Sequence, residues 1–485
     1  MKASENSLDR RAFLTRAAAS LAACNAWGAA PVPPAPSKPP TKPDILFLLA
    51  DDYAFDLVHA LGCDEIHTPN LDRLVHSGVS FTNCYSQGGW HGAVCVASRT
   101  MLMTGLFLWQ AKAAEKNLQE LSTLRRLWPQ YLCNAGYKTF FSGKWHVNCP
   151  PEAVFERIAH VRPGMPPDIP AQYNRPLHGK EDPFNPADPA AGGHFTGGRH
   201  WSEVVADDAI RFLREAAENV APFFLYLAFN APHDPRQSPQ ACLDLYDAQA
   251  LSVPRNFLPE YPLKDAIGCG PGLRDERLAP FPRTEDAVRT HRREYYAAIT
   301  HMDLQVGRIL EALERSGRMD NTIIIFTADN GLAAGCHGLM GKQNMFEHSM
   351  KVPLVLAGPG IPRDKRLQEL VYMQDVMPTT LDLAHVPLPS HLSFQSLCPL
   401  LRGDADIGYD TVYGAYMDLQ RMVRVKNHKL IFYPKIGRYF LFDLAADPEE
   451  MHDLSREPAL APTLQSLCDA LTRQQRLTTD PLVFS

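Results

Sequence analysis

The stretch Asp44–Asp52, which reads DILFLLADD, is an uninterrupted apolar run that ends in two acidic residues. A run of this kind, without alternation of polar and apolar residues, predicts a β-strand that is buried on both faces. Such strands are typical of a parallel sheet that is covered by helices on each side. The fold is therefore predicted to be built around this strand.

Similar apolar runs recur along the chain, and helical patterns lie between them. A helix is predicted from Pro69, with Thr68 as its N-cap and Gly78 as its stop, and a longer helix is predicted from Glu294 to Ser316. This alternation predicts an α/β sandwich in which helices cover a large mixed, mostly parallel sheet. The further strands are predicted at residues 79–85, 137–141, 223–229, 322–327 and 354–357.

The pattern changes near residue 390. Short alternating segments at residues 422–425, 429–433 and 439–443 predict antiparallel strands, and an amphipathic helix is predicted at residues 461–476. We therefore expect a small C-terminal subdomain, a sheet plus a helix, that packs against a larger catalytic domain. The predicted domains are residues 43–390 and 391–485.

The N-terminal residues are predicted to direct export. Asp9–Leu14, which reads DRRAFL, resembles a twin-arginine signal, and the export signal is assigned to residues 1–30. A proline-rich linker follows at residues 31–42. Cleavage near Ala30 and lipidation at Cys24 are both left open. We expect a periplasmic or exported protein, carried by the twin-arginine machinery, without a transmembrane span and either free or held by a lipid anchor.

Composition limits the class of function. The chain has 485 residues, which is enough for one large and one smaller domain. Its net charge of −6 argues against nucleic acid as a partner, so an anionic ligand has to be attracted by a local positive pocket. The eleven cysteines form no CxxC pair and no zinc-binding pattern.

Polar clusters directly follow four of the predicted strands. In open α/β sheets, ligands bind beyond the carboxyl ends of the strands, so these clusters are expected to meet at one site. Two of them offer carboxylate and amide oxygens, which suit Ca²⁺ or Mg²⁺ better than zinc. The clusters are Asp51–Asp52, Gly143–His146, Ala231–Asp234 and Ala328–Gly331.

Cys95–Arg99, which reads CVASR, opens an apolar helical run. It places a nucleophile at a helix N-terminus and a cation one turn later on the same face. This stretch resembles the Cys-x-Pro/Ala-x-Arg signature of the type I sulfatases, in which the cysteine is oxidised to formylglycine. The resemblance covers most of residues 43–460 and includes Thr68–Leu71 and the tail Leu441–Glu450.

The resemblance implies an alkaline-phosphatase-like fold and a division of labour at the site. One Ca²⁺ is implied to be held by Asp51, Asp52, Asp329, Asn330 and the modified Cys95. Sulfate is implied to be bound by Arg99, Lys144 and Lys342. His233 is implied to protonate the leaving alcohol, and His146 to contact the formylglycine and assist its regeneration. A formylglycine-generating enzyme is the implied maturation partner, and Ala97, where many members carry proline, leaves open which enzyme acts.

The predicted function is hydrolysis of sulfate monoesters, with a leaning toward sulfated carbohydrate over other sulfated small molecules. A phosphonate monoester or phosphodiester hydrolase with the same residues is one alternative. An unmodified, non-catalytic protein that binds sulfated glycans is another. Loops at residues 149–196 and 234–282 are expected to shape the pocket. Aromatic and histidine residues that either line it or pack in the core are Trp90, His91, Trp145, His200 and Trp201.

Overall fold

The computed structural model describes residues 42–404 and 408–482. The predicted export signal, the lipidation site at Cys24 and all but the last residue of the linker lie outside these ranges. Every cysteine within them is free. None of the helices in these ranges has the length and apolar character that a membrane crossing requires.

The predicted central strand is β1, Asp44–Asp51, and all eight of its residues are buried. The strands that follow it in the described part of the chain are β2 Gly78–Tyr85, β3 Gly88–Gly89, β4 Lys138–Lys144, β5 Arg157–Arg162, β6 Phe195–Thr196, β7 Arg199–His200, β8 Phe223–Pro232, β9 Thr322–Ala328, β10 Leu354–Ala357, β11 Lys365–Tyr372, β12 Thr411–Tyr416, β13 Gln420–Val425, β14 His428–Tyr433 and β15 Arg438–Asp443. Each predicted strand is therefore present, within a few residues of its predicted bounds.

The main sheet has eight strands in the order β11-β2-β10-β9-β1-β8-β4-β5. Only β10 runs antiparallel to its two neighbours, and the other adjacent pairs are parallel. The prediction of a large mixed, mostly parallel sheet is confirmed. β1 lies near the middle, which explains why its sequence is apolar on both faces.

Helices cover both faces of this sheet. The α-helices of the described ranges are α1 Pro69–Ser77, α2 Val94–Thr104, α3 Leu108–Glu115, α4 Leu118–Thr123, α5 Trp128–Asn134, α6 Trp201–Ala217, α7 Gln240–Leu243, α8 Glu285–Arg315, α9 Glu347–Met350, α10 Val376–Leu383, α11 Cys398–Arg402 and α12 Ala461–Leu477. On one face Trp128 of α5 packs against Phe47 of β1, with ring centroids 5.0 Å apart. On the other face Phe212 of α6 packs against Phe140 of β4. The sandwich architecture is thus confirmed.

The start of α1 is capped differently from the prediction. Thr68 occupies the N-cap position, but its side chain makes no capping hydrogen bond. Instead, the carboxylate of Asp303 on α8 accepts hydrogen bonds from the backbone N–H groups of Asn70, at 3.2 Å, and Leu71, at 2.7 Å. A residue that is distant in sequence satisfies the free donors, which local pattern alone does not reveal.

The longest helix, α8, begins at Glu285 rather than at the predicted Glu294, because the Thr284 side chain caps it by accepting from the backbone of Ala287. This helix also supports the loop that follows β1. The hydroxyl of Tyr295 donates a 2.6 Å hydrogen bond to the carbonyl oxygen of Asp52. The long helix thereby fixes the acidic end of the central strand.

The second sheet has the order β15-β14-β13-β12-β3. Its four C-terminal strands are antiparallel, and α12 packs against it, so the predicted small sheet with one helix is confirmed. Its edge strand β3 comes from much earlier in the chain and pairs with β12 at Ala415 and Tyr416. β3 consists of two glycines, which have no side-chain pattern, so the sequence does not predict this strand. The domain division at residue 390 stays a prediction.

Gly143 in β4 is a position where the fold leaves no room for a side chain. Its φ is +108°, and a Cβ there would lie 1.8 Å from the carbonyl oxygen of Ala228 in β8. We expect Gly143→Ala to lower the free energy of unfolding by about 3–5 kcal/mol, because backbone strain adds to the separation of two paired strands. Urea unfolding measures this loss.

Gly136→Ala is the matched control for this prediction. Gly136 also has a positive φ, +93°, but a Cβ there would meet no atom within 4 Å. This variant should lower the free energy of unfolding by only about 1 kcal/mol, because it introduces backbone strain without a steric clash. Equal losses in the two variants would contradict the role assigned to the contact between β4 and β8.

Candidate active site

The carboxyl ends of four neighbouring strands carry the predicted polar clusters. β9, β1, β8 and β4 lie side by side in that order and are parallel, so they end at the same edge of the sheet. Asp51 ends β1 and Lys144 ends β4, while His233 follows β8 and Asp329 follows β9. The structure brings these predicted residues together, as the strand pattern indicates.

Cys95 approaches this edge from the first turn of α2, as predicted. Its Sγ lies 3.3 Å from Oδ1 of Asp51 and 3.8 Å from Oδ1 of Asp52. One turn later, Arg99 donates from Nε to Oδ2 of Asp329 over 2.9 Å. The helix therefore delivers both the nucleophile candidate and a buried cation to the acidic cluster.

A group of ligand atoms suited to a cation lies at this point. Single ligand atoms of Asp51, Asp52, Cys95 and His233 are all within 4.8 Å of one another, and all four residues are buried. Buried carboxylates need cationic partners, which a divalent metal supplies. His233 belongs to this group by distance, although the sequence resemblance implies a proton donor rather than a metal ligand.

The other two predicted ligands lie directly beside this group. Oδ1 of Asp329 accepts a 3.2 Å hydrogen bond from the backbone N–H of Asp52, and the side-chain amide of Asn330 lies 3.7 Å from Sγ of Cys95. Turning that amide about its terminal bond presents its oxygen to the same point. The residues present therefore fit an oxygen-ligated divalent cation.

Two lysines bring ammonium groups to the carboxylates. Nζ of Lys144 forms an ion pair with Asp51, and Nζ of Lys342 forms one with Asp52. Nζ of Lys342 also lies 3.0 Å from Sγ of Cys95. Both ammonium groups are buried, where charge interactions are stronger than in water. The three carboxylates of the site are thus matched by two lysines and one arginine.

The two acids at the end of β1 differ in their titration. Burial alone would raise the pKa of Asp51, but the positive charges of Lys144 and His233 outweigh it and hold the pKa well below its usual range. For Asp52, burial outweighs the charge of Lys342, and the pKa rises to about 6. Asp51 is therefore the more firmly ionised of the two candidate ligands.

The thiol of Cys95 is a poor nucleophile in this environment. Burial raises its pKa well above the usual value, and the negative charges of Asp329 and Asp51 raise it further. The thiolate is the reactive form of cysteine, and this site suppresses it.

His233 is held between two carboxylates. Its Nε2 lies 3.3 Å from Oδ2 of Asp52, and its Nδ1 lies 3.0 Å from Oδ1 of Asp234. Burial lowers the pKa of His233, but the neighbouring carboxylates, chiefly that of Asp234, more than offset it and raise the pKa overall. The ring is thus able to carry a proton at this site.

His146 is placed differently. It has a φ of +55°, and its Nδ1 is buried with no hydrogen-bond partner among the described residues. Burial, with the charges of Lys144 and Arg99, lowers its pKa to about 3. The ring is therefore neutral near pH 7 and has an unused polar atom.

A cavity of about 270 Å³ opens above these groups. Arg99 is absent from its walls and instead holds Asp329 and the carbonyl oxygen of Lys144 from behind. The predicted loops also contribute, through Met165 of the first and Leu273 of the second. The predicted site residues that line the cavity are Cys95, Lys144, His146, His233 and Lys342.

The aromatic candidates do not form its walls. None of Trp90, His91, Trp145, His200 and Trp201 is among the lining residues. Trp145, for example, packs against Phe141 and Phe155 in the core. For this residue the core-packing alternative is the correct one.

Three polar residues at the wall were not singled out from the sequence. Arg274 donates from Nε to Oδ1 of Asp275 over 2.8 Å, and Gln343 donates from Nε2 to Oδ2 of the same carboxylate over 2.8 Å. Arg274 and Asp275 lie at the start of a single 3₁₀ turn, Asp275–Arg277, between α7 and α8. Only the adjacency of Gln343 to the predicted Lys342 offered a signal in the sequence.

Comparison with known families shows extensive similarity. The family model described as Sulfatase matches residues 43–386, and the model described as N-sulphoglucosamine sulphohydrolase, C-terminal, matches residues 335–477. An N-acetylglucosamine-6-O-sulfatase of Bacteroides thetaiotaomicron is 26% identical, over 96% of this chain and 90% of the relative. A choline-sulfatase of Rhizobium meliloti is 28% identical, over 86% of this chain and 83% of the relative.

Solved structures share the fold. A protein in complex with its substrate D-glucosamine-2-N,6-O-disulfate has a TM-score of 0.73 at 24% identity, over 91% of this chain and 99% of that chain. A phosphonate monoester hydrolase of Silicibacter pomeroyi has a TM-score of 0.72 at 19% identity, over 91% of this chain and 96% of that chain.

Proposed function

The chain belongs to the sulfatase family of sulfuric ester hydrolases with the alkaline-phosphatase-like fold, and on this premise we propose that it removes sulfate from a sulfated carbohydrate. The proposed nucleophile is residue 95 in the formylglycine form, beside one calcium ion. The position of Cys95 carries the proposal, because this buried side chain lines the cavity 3.3 Å from the carboxylate of Asp51 and 3.0 Å from the ammonium group of Lys342.

Calcium is the metal that this ligand set favours, since its donors are carboxylate and amide oxygens. The ligands would be Asp51, Asp52, Asp329, Asn330 and the oxygen of the modified residue 95. When bound, the metal supplies a positive charge that lowers the pKa of the attacking hydroxyl and orients the ester. The close grouping of Asp51, Asp52 and Cys95 supports this assignment.

Lys144 and Lys342 would bind the sulfate oxygens, because both line the cavity. A divalent cation nearly neutralises the three carboxylates, so the two lysines and Arg99 leave the pocket positive. An ammonium group about 4 Å from the sulfate contributes roughly 4 kcal/mol at an effective dielectric constant of about 20, before desolvation. The net charge of −6 is mostly distant and screened, and opposes this attraction weakly.

His233 would donate a proton to the departing alcohol, and His146 would contact the modified side chain from the cavity wall. The raised pKa of His233 suits a proton donor, and the lowered pKa of His146 suits a neutral hydrogen-bonding partner. The two histidines therefore have distinct roles that follow from their environments.

The carbohydrate assignment has two supports. One relative is named N-acetylglucosamine-6-O-sulfatase. The cavity wall also carries the polar groups of Arg274, Asp275 and Gln343, which suit the hydroxyl groups of a sugar. Export through the twin-arginine machinery, after a maturation enzyme has oxidised Cys95, is part of the same proposal.

Substrate comparison tests this proposal. We expect sulfate release from at least one of a set of defined sulfated monosaccharides, with kcat/KM exceeding that for bis(4-nitrophenyl) phosphate by about 10²-fold or more. Peptide mass spectrometry across residue 95 should show an aldehyde in place of the thiol. Faster cleavage of the phosphodiester would favour the phosphonate and phosphodiester alternative. An intact thiol throughout, with glycan binding and no turnover, would favour the binding-protein alternative.

A further inference from the structure

Asp234 lies behind His233, on the side of the ring that faces away from Asp52. Its Oδ1 is 3.0 Å from Nδ1 of His233, whereas Nε2 on the opposite side of the ring lies 3.3 Å from Oδ2 of Asp52. Both His233 and Asp234 are buried. The carboxylates of Asp52 and Asp234 therefore contact opposite ring nitrogens of His233.

Arg274 holds the same carboxylate from the cavity side. Its Nη2 lies 3.6 Å from Oδ1 of Asp234, and its Nε donates to Oδ1 of Asp275. Arg274 also lines the cavity, and its side chain is 31% exposed. A contact path thus runs from the cavity wall through Arg274 and Asp234 to His233.

The second oxygen of Asp234 argues against a purely structural role. Oδ2 is buried and has no hydrogen-bond partner among the described residues. Leaving a buried polar atom unpaired costs free energy, and proteins tolerate this chiefly where function requires it.

We propose that Asp234 is a positioning residue, held by Arg274, that orients His233 so that Nε2–H faces the ester oxygen of the substrate. This inference rests on the proposed function, in which His233 protonates the leaving alcohol. As sulfur forms its bond to the nucleophile at residue 95, the S–O ester bond breaks, and its electron pair passes to the alcohol oxygen, which takes the proton from Nε2. Nδ1–H remains bonded to nitrogen throughout, and Asp234 undergoes no bond change.

The backbone carbonyl oxygen of Asp234 is a competing acceptor, since it lies 2.8 Å from Nδ1 of His233. It is fixed to the chain and makes no ion pair with Arg274. Of these two acceptors, only the carboxylate contacts Arg274. Removing its charge while keeping its shape, in Asp234→Asn, separates the two acceptors.

A series of substituted phenyl sulfates tests the proposal. Esters of acidic phenols need little protonation as they leave, whereas esters of weakly acidic phenols depend on the proton donor. We expect Asp234→Asn to lower kcat/KM by about 10²-fold for phenyl sulfate but by under about 10-fold for 4-nitrophenyl sulfate. The slope of log kcat/KM against phenol pKa should therefore steepen.

Asp275→Asn is the matched control, because Asp275 contacts Arg274 and lines the cavity but makes no ion pair with His233. Asp275→Asn should change kcat/KM for both esters by a similar factor. The slope of log kcat/KM against phenol pKa should then equal that of the unaltered enzyme. Arg274→Gln is the second variant and should steepen the slope in the same direction, to a smaller extent. It serves as the deciding variant if Asp234→Asn does not fold.

Two outcomes are distinguishable. A folded Asp234→Asn protein whose kcat/KM falls by the same factor for both esters would overturn the positioning role. An Arg274→Gln protein with an unaltered slope would overturn it as well. An unaltered enzyme that hydrolyses no sulfate ester would instead contradict the proposed function. Thermal denaturation of each variant confirms that the comparison is made on folded protein.

Discussion

Cys95→Ala is expected to lower kcat for sulfate ester hydrolysis by about 10⁴-fold or more, because the variant has no group that can attack sulfur. The cations that line the cavity remain, so substrate affinity should change by less than about 10-fold. Steady-state sulfate release measures the first quantity and titration calorimetry measures the second. This separation of binding from turnover is the signature of a lost nucleophile.

Cys398→Ala is a matched control. Cys398 in α11 is also a buried thiol, and burial raises its pKa to about 11, but it does not line the cavity. Cys398→Ala also removes one buried thiol group, and it should leave turnover close to that of the unaltered enzyme. Turnover by Cys95→Ala at a similar level would contradict the role of residue 95.

Asp51→Asn is expected to lower kcat by about 10³-fold and calcium affinity by about 10²-fold. Asp51 is the acid whose pKa is held well below its usual range, so it offers a full negative charge to a cation. The amide keeps the shape of the side chain and removes that charge. Calorimetric titration of calcium into chelator-treated protein measures the loss of affinity.

Asp375→Asn serves as the control for the metal site. Asp375 is equally buried, but burial raises its pKa to about 7, and its carboxyl group accepts from the backbone N–H groups of Tyr372 and Gln395. Calcium affinity should be unchanged in this variant. An Asp51→Asn protein that binds calcium as tightly as the unaltered chain would refute the assignment of the metal ligands.

The sequence carries strong signals where local pattern and chemistry coincide. Asp44–Asp51 is apolar because both faces are buried, and its acidic end lies at the sheet edge where ligands bind. The spacing of Cys95 and Arg99 is one helical turn, so a short motif predicts their shared face. These features need no knowledge of distant contacts, and the structure places them as predicted.

Other features depend on contacts between residues that are far apart in the chain. The capping of α1 by Asp303 and the pairing of β3 with β12 have no local signature. The polar residues Arg274 and Asp275 lie at the start of a single 3₁₀ turn, which is too short for a sequence period, so their place at the cavity wall follows only from the folded chain. Sequence patterns therefore predict the polar cluster at the sheet edge better than the wall of the cavity.

The pairing of β3 with β12 has a consequence for biosynthesis. β3 precedes Cys95 by a few residues, yet the strand that completes it leaves the ribosome only after most of the chain has been made. In the folded protein Cys95 is 2% exposed, so the proposed oxidation of this residue would have to precede this closure. On the proposed function, the interval between the emergence of these two segments is the period in which Cys95 would be oxidised.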